Sequence, residues 1–147
     1  MMAKPDSVQL VADALLTLRR RQRRGHLAGS APLDQIHIAE IADVVASHDQ
    51  PVTVGDVARE LMIDPSQASR RVASSVDASI VVRVPVQHDG RLSGLRLTRK
   101  GRSLVGDVQQ RRRIAVEEPM QSWTQTDRQQ LATLLTRLVN DLEPDQG

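Results

Sequence analysis

Between Thr53 and Gly101 the hydrophobic period of this chain switches from that of a helix to that of a strand, and few folds accommodate the switch. Val54, Val57, Ala58 and Leu61 fall at i, i+3, i+4 and i+7, which is one buried face of a short helix. Thr53 is placed to cap it, with Asp56 three residues on as a weak capping box. A stronger start signal follows almost at once. Asp64 is an N-cap residue, Pro65 takes a first helical position where its missing N–H costs nothing, and Gln67 stands where a capping box takes Glu or Gln.

On this second helix Ala68, Val72 and Val76 share one face at 100° per residue. Ser66, Gln67, Arg70, Ser74 and Asp77 fall on the opposite face, with Arg71 at its edge. Gln pairs with adenine edges, Arg with guanine edges, and hydroxyls with phosphate, so such a face near a helix N-terminus has the chemistry of major-groove reading. An ordinary solvated helix face has the same composition, and the helix alone does not separate the two.

The next segment does. Ile80 to Val86 is β-branched, and Leu92 to Leu97 alternates, with Leu95 and Leu97 on one face and Arg96 on the other. A hairpin joins them, its turn from Gln87 to Arg91 carrying Asp89-Gly90 and placing Arg91 at or beside the tip. Pro85 predicts an edge position or a bulge, because it donates nothing to a ladder.

Asp89-Gly90-Arg91, followed by Leu95, Leu97-Thr98 and Gly101, resembles the D-x-R and x-L-T-x-x-G wing signature of the MarR family of bacterial transcription regulators. With the helix pair upstream and long helices on both sides, the resemblance covers nearly the whole chain. It implies a mostly α (α+β) fold: a winged helix-turn-helix with a small β-hairpin wing and a helical dimerisation lobe. It also implies that the helix from Pro65 enters the major groove and that Arg91 enters the minor groove, with Asp89 orienting its guanidinium. An Arg on a hairpin tip suits a narrow, electronegative groove. The Thr53 region would add a short third strand, as in the family. Two positions depart from the pattern: Met62 sits in a turn where many such units place Gly, and Ala78-Ser79 precedes the first wing strand where relatives often have Gly-Leu.

Charge is segregated in the same sense. The net charge is only +2, yet residues 53–113 carry 12 Lys and Arg against 6 Asp and Glu, while residues 114–147 carry 2 against 6. A basic block over the predicted DNA-reading unit supports phosphate contact. The single Trp and the absence of Phe and Tyr mean that Leu, Val, Ile and Ala build the core, and that Trp123 alone can stack on a ligand. With no Cys there is no disulfide, thiolate nucleophile or cysteine redox sensor. No apolar run approaches the ~18 residues of a membrane span and no signal-peptide pattern appears, so the expected location is cytoplasmic, without membrane partners.

The flanks read as helices. Residues 1–6 are expected to fray; a helix begins after Ser7, with Val8, Val11, Ala12, Leu15 and Leu18 near one face, and runs into the Arg19–Arg24 cluster. That cluster is either a solvated helix end or a patch for phosphate or an anionic effector. Residues 25–32 form a loop. Asp34 is then placed as an N-cap with Leu33 and Ile38 as a staple, and Ile38, Ile41, Ala42 and Val45 give the buried stripe of a second helix. Thr98 caps a long helix with Gly101, Leu104, Val105, Val108 and Ala115 on one side, ended or kinked by Pro119. The last helix starts near Thr124, with Asp127 three residues on, and presents Leu131, Leu134, Leu135, Leu138 and Leu142. That stripe fits a dimer interface, since in the family the first and last helices of two chains interlock. A monomeric helical core is the alternative.

Enzyme chemistry finds little footing. The four His are scattered at 26, 37, 48 and 88; His37 and His48 share a helix face but lie ~16 Å apart at 1.5 Å per residue, too far for one metal. His37 and Glu40, joined by Glu117 or Glu118, would be a weak metal set, against which stands a plain surface histidine beside a carboxylate. No Gly-rich phosphate loop or Ser-His-Asp order stands out, and no cofactor is expected.

The expectation is therefore a homodimeric regulator that is not an enzyme, most simply a repressor on a palindromic operator in double-stranded DNA. Residues 1–32 form a dimerisation helix and loop, 33–100 the winged helix-turn-helix (reading helix about 65–77, wing about 80–97), and 101–147 the C-terminal dimerisation helices, within one compact domain. Ser66, Gln67, Ser69, Arg70, Arg71, Ser74, Asp89 and Arg91 are the candidate DNA contacts. The resemblance implies a small anionic or lipophilic effector in a cleft involving the first, second and fifth helices, with Arg20, Arg23, His37 and Ile41 as candidates. Two alternatives stand beside this: a weakly specific DNA-packaging protein, and a winged-helix protein-interaction module.

Overall fold

A computed structural model describes residues 6–23, 33–86 and 89–142. The elements in order are α1 (Ser7–Arg23), α2 (Leu33–Ala46), β1 (Val52–Thr53), α3 (Val54–Glu60), α4 (Pro65–Asp77), β2 (Val81–Val86), β3 (Asp89–Leu97), α5 (Arg99–Glu117), a 3-10 turn (Glu118–Met120) and α6 (Gln125–Leu142). The chain divides into two compact units, residues 1–112 and 113–147, where a single domain was expected.

The first unit is built on α2, α3 and α4 over a three-stranded antiparallel sheet of order β1-β3-β2. Its core joins Ile41, Ala42, Val44 and Val45 of α2 to Val57 of α3, Ala68 and Val72 of α4, and Val81 and Leu95 of the sheet. Each large aliphatic side chain so buried contributes roughly 1.5–3 kcal/mol, which lets a core without aromatics hold the unit together. Of the expected α2 stripe Ile41, Ala42 and Val45 are buried and Ile38 is partly buried, and Val44 joins them as an unexpected buried residue.

Capping signals set most of the helix starts. Thr53 and Asp56 form a reciprocal box: the Asp56 N–H donates to Thr53 Oγ1 at 3.1 Å and the Thr53 N–H donates to Asp56 Oδ2 at 3.0 Å. Asp64 accepts from the Gln67 N–H at 2.9 Å, with Pro65 in the first turn of α4. Thr124 and Asp127 repeat the box at α6. Two expected starts move toward the N-terminus, that of α1 by one residue and that of α2 by two. Asp6, not Ser7, accepts from the Gln9 N–H at 2.8 Å and begins α1. Asp34 lies inside the first turn of α2, where its charge opposes the positive end of the dipole, rather than at the cap; the Leu33 side chain of the expected staple and the loop at 25–32 lie outside the described residues.

Both short helices end in the same way. Ile63 and Met62 donate back to the Ala58 and Arg59 carbonyls, and Ile80 and Ser79 donate back to those of Ser75 and Val76. This double bond pattern is a Schellman cap, which needs a left-handed residue after the C-cap. Met62 (φ 51°) and Ser79 (φ 61°) supply it without being Gly.

In the sheet β3 lies at the centre, pairing Val52 with Leu95 on one side and Val81 with Leu97 on the other. The register of β2 shifts between Pro85 and Val86, so Pro85 sits both on an edge strand and at an irregularity. The hairpin turn is shorter than the sequence suggested. Val86 pairs with Asp89, so Asp89-Gly90 belongs to β3; residues 87–88 lie outside the described set.

In the second unit α6 buries no residue: Leu131, Leu134, Leu135, Val139 and Leu142 are all exposed, and Trp123 before it is 41% exposed. Pro119 converts the end of α5 to the 3-10 turn. Arg128 closes that turn by donating from Nε (3.1 Å) and Nη2 (2.7 Å) to the Met120 carbonyl.

Candidate nucleic-acid interface

The outer side of α4 is aimed by its inner side. Ala68, Val72 and Ser75 are fully buried, which turns Ser66, Gln67, Ser69, Arg70 and Ser74 to solvent. Ser75 was not expected inward; its hydroxyl is satisfied by donating to the Arg71 carbonyl at 2.9 Å, so the polar group is buried with a partner.

The exposed side chains are not equally free. Ser66 donates to Asp64 Oδ1 at 2.5 Å and Ser74 to the Arg70 carbonyl at 3.2 Å, so both hydroxyls are left chiefly as acceptors. These bonds from the Ser66 hydroxyl and then the Gln67 N–H hold the Asp64 carboxyl below its usual value. Gln67, Ser69 and Arg70 have no side-chain hydrogen bond or ion pair among the described residues. They form the open donor and acceptor set of the face.

Arg71 is differently engaged. Its Nη1 donates to Glu40 Oε2 of α2 at 2.8 Å, and its side chain is only 20% exposed. The residue thus ties α4 to α2. Glu40 appeared in the sequence only as a weak metal candidate; a partner 31 positions away leaves no local signal. Three positions further along α2, Asp43 pairs with Arg112 of α5 at 2.5 Å. Among the described residues no group of three His, Asp or Glu is placed to hold a metal ion.

The turn between α4 and β2 is held by the residues that carry the L-T-x-x-G pattern. The Thr98 hydroxyl donates to the Ser79 carbonyl (2.6 Å) and accepts from the Gly101 N–H (3.0 Å), so it caps α5 while gripping the end of α4. Lys100 Nζ donates to the Ala78 carbonyl at 2.9 Å. Asp89 and Arg91 lie in β3 at its end next to the turn; their side chains lie outside the described residues.

Of the residues expected around an effector, His37 lines a cleft. That cleft, about 280 Å³, lies between α2 and α4 and is lined by Asp34, His37, Gln67, Arg70, Arg71 and Ser74. Ile41 is a correction: its side chain is 0% exposed and packs in the core, closed to any ligand. Arg20 is exposed on α1, and the Arg23 side chain lies outside the described residues.

Comparison with known proteins agrees with this arrangement. The MarR family profile matches residues 39–92, from the middle of α2 into the wing. An uncharacterised HTH-type transcriptional regulator of Bacillus subtilis (strain 168), YxaD, is 26% identical over 145 residues, covering 93% of this chain and 96% of its own. The crystal structure of RV1404 from Mycobacterium tuberculosis superposes with a TM-score of 0.69 at 23% identity, over 98% of this chain and 100% of that one. The transcriptional regulator BldR from Sulfolobus solfataricus gives 0.68 at 18% identity, over 95% and 99%. These two likenesses speak to the fold alone, while the profile falls on the very segment that builds the interface. Over residues 39–92 the chain is similar to the MarR family, and along nearly its whole length to an HTH-type transcriptional regulator.

Proposed function

We propose that the protein is a ligand-responsive repressor that binds a palindromic operator as a homodimer, with residues 33–100 reading DNA and residues 1–32 and 101–147 pairing the two chains. The observation that carries the DNA-reading part is the open set on α4: Gln67, Ser69 and Arg70 are exposed and free of partners among the described residues, on a helix whose inner face is locked in the core. Gln67 and Arg70 lie one helical turn apart and reach neighbouring bases or a base and a phosphate. Ser66 and Ser74 accept from base amino groups. Arg91 takes the minor groove with Asp89 beside it. Arg71 acts chiefly through its bond to Glu40.

Dimerisation is supported by apolar side chains left uncovered along one face of each of α1 and α6, Val8, Val11 and Leu18 on the first and Leu131, Leu134, Leu135 and Leu142 on the last, each more than 40% exposed. Apolar stripes of this length mark interaction surfaces. A two-fold dimer would place its α4 helices about 34–36 Å apart, one turn of DNA, which requires an inverted repeat. Repression would follow from occupying such a site where a promoter overlaps it.

The test is binding to duplex DNA from the region upstream of the protein's own gene, against a scrambled duplex of equal length at near-physiological salt. A preference of about 10³ or more, with one dimer per inverted repeat, is expected. Equal affinity for both would support a packaging role, and no binding to either would support a protein-interaction module.

A further inference from the structure

The cleft between α2 and α4 has an unusual lining. Asp34 and His37 stand on one wall and Gln67, Arg70, Arg71 and Ser74 on the other, so every lining residue among those described is polar. Its volume of about 280 Å³ lies just under the ~300–1,000 Å³ of ordinary ligand pockets, enough for a small metabolite. A wholly apolar ligand would offer no partner to Asp34, His37, Gln67 or Arg70 there, a cost of ~1–3 kcal/mol for each group it desolvates. The lining therefore favours a ligand that carries hydrogen-bonding groups of its own.

The charges narrow the choice further. Arg70 has no ion-pair partner among the described residues, and Arg71 spends one amino group on Glu40 while keeping other N–H donors on the guanidinium. Planar guanidinium groups match carboxylates in a fork-to-fork geometry. Asp34 opposes them across the cleft and accepts hydrogen bonds only, so it disfavours a second anionic group and favours a hydroxyl. His37, Gln67 and Ser74 add partners of either sense.

We propose that this cleft binds a small carboxylate bearing several hydroxyl groups, with the carboxylate on Arg70 and Arg71 and hydroxyls on Asp34, His37 and Ser74, and that the ligand competes directly with DNA. The inference rests on the reading above that α4 contacts DNA. Gln67 and Arg70 belong to both surfaces, and neither can serve a bound carboxylate and a base edge at once. No change in the separation of two α4 helices is needed. Linkage then requires that ligand and DNA weaken one another by the same factor.

The experiment uses gluconate as the probe, with hexanoate, of equal chain length and charge but without hydroxyls, and glucose, uncharged, as controls. Using the full chain labelled with 15N and no DNA, gluconate is expected to shift the amides of residues 34–37 and 67–74, while hexanoate and glucose leave them in place. In a duplex-binding assay at matched ionic strength, saturating gluconate is expected to lower affinity at least tenfold and hexanoate less than twofold. His37→Ala is expected to weaken the gluconate effect at least fivefold, and Asp34→Asn to do the same if His37→Ala fails to fold. Amide shifts elsewhere, none at all, or equal effects of gluconate and hexanoate would overturn the proposal. If the chain binds no duplex, the DNA-reading function fails; the amide titration without DNA still decides whether the cleft takes the carboxylate, and competition is then overturned.

Discussion

Gly101 lies against the backbone of Ile80 so closely that a Cβ on Gly101 would stand 2.1 Å from the Ile80 carbonyl oxygen. Gly101 is the last residue of the L-T-x-x-G pattern, and the contact explains why the pattern ends in Gly: the first turn of α5 passes over the end of α4. Gly→Ala inside a helix ordinarily stabilises by about 0.5–1 kcal/mol. Here the sign reverses. Gly101→Ala is expected to destabilise by at least about 1–3 kcal/mol through the forced backbone shift. Gly106, five residues along the same helix with nothing within 4 Å of its Cβ position, gives the ordinary gain. Urea unfolding of the two variants checks the pair, and a stable Gly101→Ala protein would mean that the α4–α5 contact is looser than described.

Met62 and Ser79 hold the left-handed positions of the two Schellman caps. A side chain there costs about 1–2 kcal/mol, part of which Gly would return after allowing for its more flexible unfolded chain. Met62→Gly and Ser79→Gly are each expected to raise stability by about 0.5–1 kcal/mol, additively, because the sites share no partner. Met62 is 91% exposed, so its replacement removes no packing. A fall in the urea midpoint of Met62→Gly would show that the strain argument fails.

These cases also show what could be read in advance. Local signals carried the helix starts at Thr53, Asp64 and Thr124, because a cap and its partner lie three residues apart. Of the departures from the family pattern, Met62 and Ser79 fell where the backbone proves to be left-handed, while Ala78 is right-handed at φ −74°. What the sequence hid were contacts between distant segments. The Arg71–Glu40 pair and the grip of Thr98 on the Ser79 carbonyl depend on tertiary packing that no period reveals. Asp89-Gly90 misled for another reason: a good turn dipeptide was absorbed into β3 by continued pairing with β2. Ile41 was read as a cleft residue although its own apolar period already placed it in the core.

The Asp56 carboxyl is held below its ordinary value of 3.8, first by the Thr53 hydroxyl, then by the Thr53 N–H, with Arg59 adding to both. A depressed carboxyl pKa favours the folded state only where the group is ionised. The contribution is therefore complete above the unfolded value near pH 4 and is lost as pH falls through the lower folded value. Asp56→Asn is expected to flatten the acid limb of the stability profile below about pH 4, and Thr53→Val to do so in part. Thermal unfolding from pH 2.5 to 7 reads this directly; parallel acid limbs for wild type and Asp56→Asn would remove the box from the acid response.

Adjacent arginines on α4 should separate by what each one costs. Arg70 is exposed and unpaired among the described residues, so Arg70→Ala is expected to leave stability nearly unchanged. Its loss should weaken operator binding by about 1–3 kcal/mol if it reads a base, relaxing specificity at that position; a uniform loss across sequences, with the salt slope reduced by about 1, would mark a phosphate contact instead. Arg71→Ala and Glu40→Gln break a pair that is largely covered on the Arg side, and each is expected to cost about 1 kcal/mol of stability. Their effects should not add, because the second change finds no bond left to remove. Measuring unfolding and operator affinity on all three variants and on the Arg71–Glu40 double variant decides the matter: equal losses of DNA affinity at Arg70 and Arg71, with additive stability effects, would place Arg71 on the DNA and leave Glu40 without the tethering role.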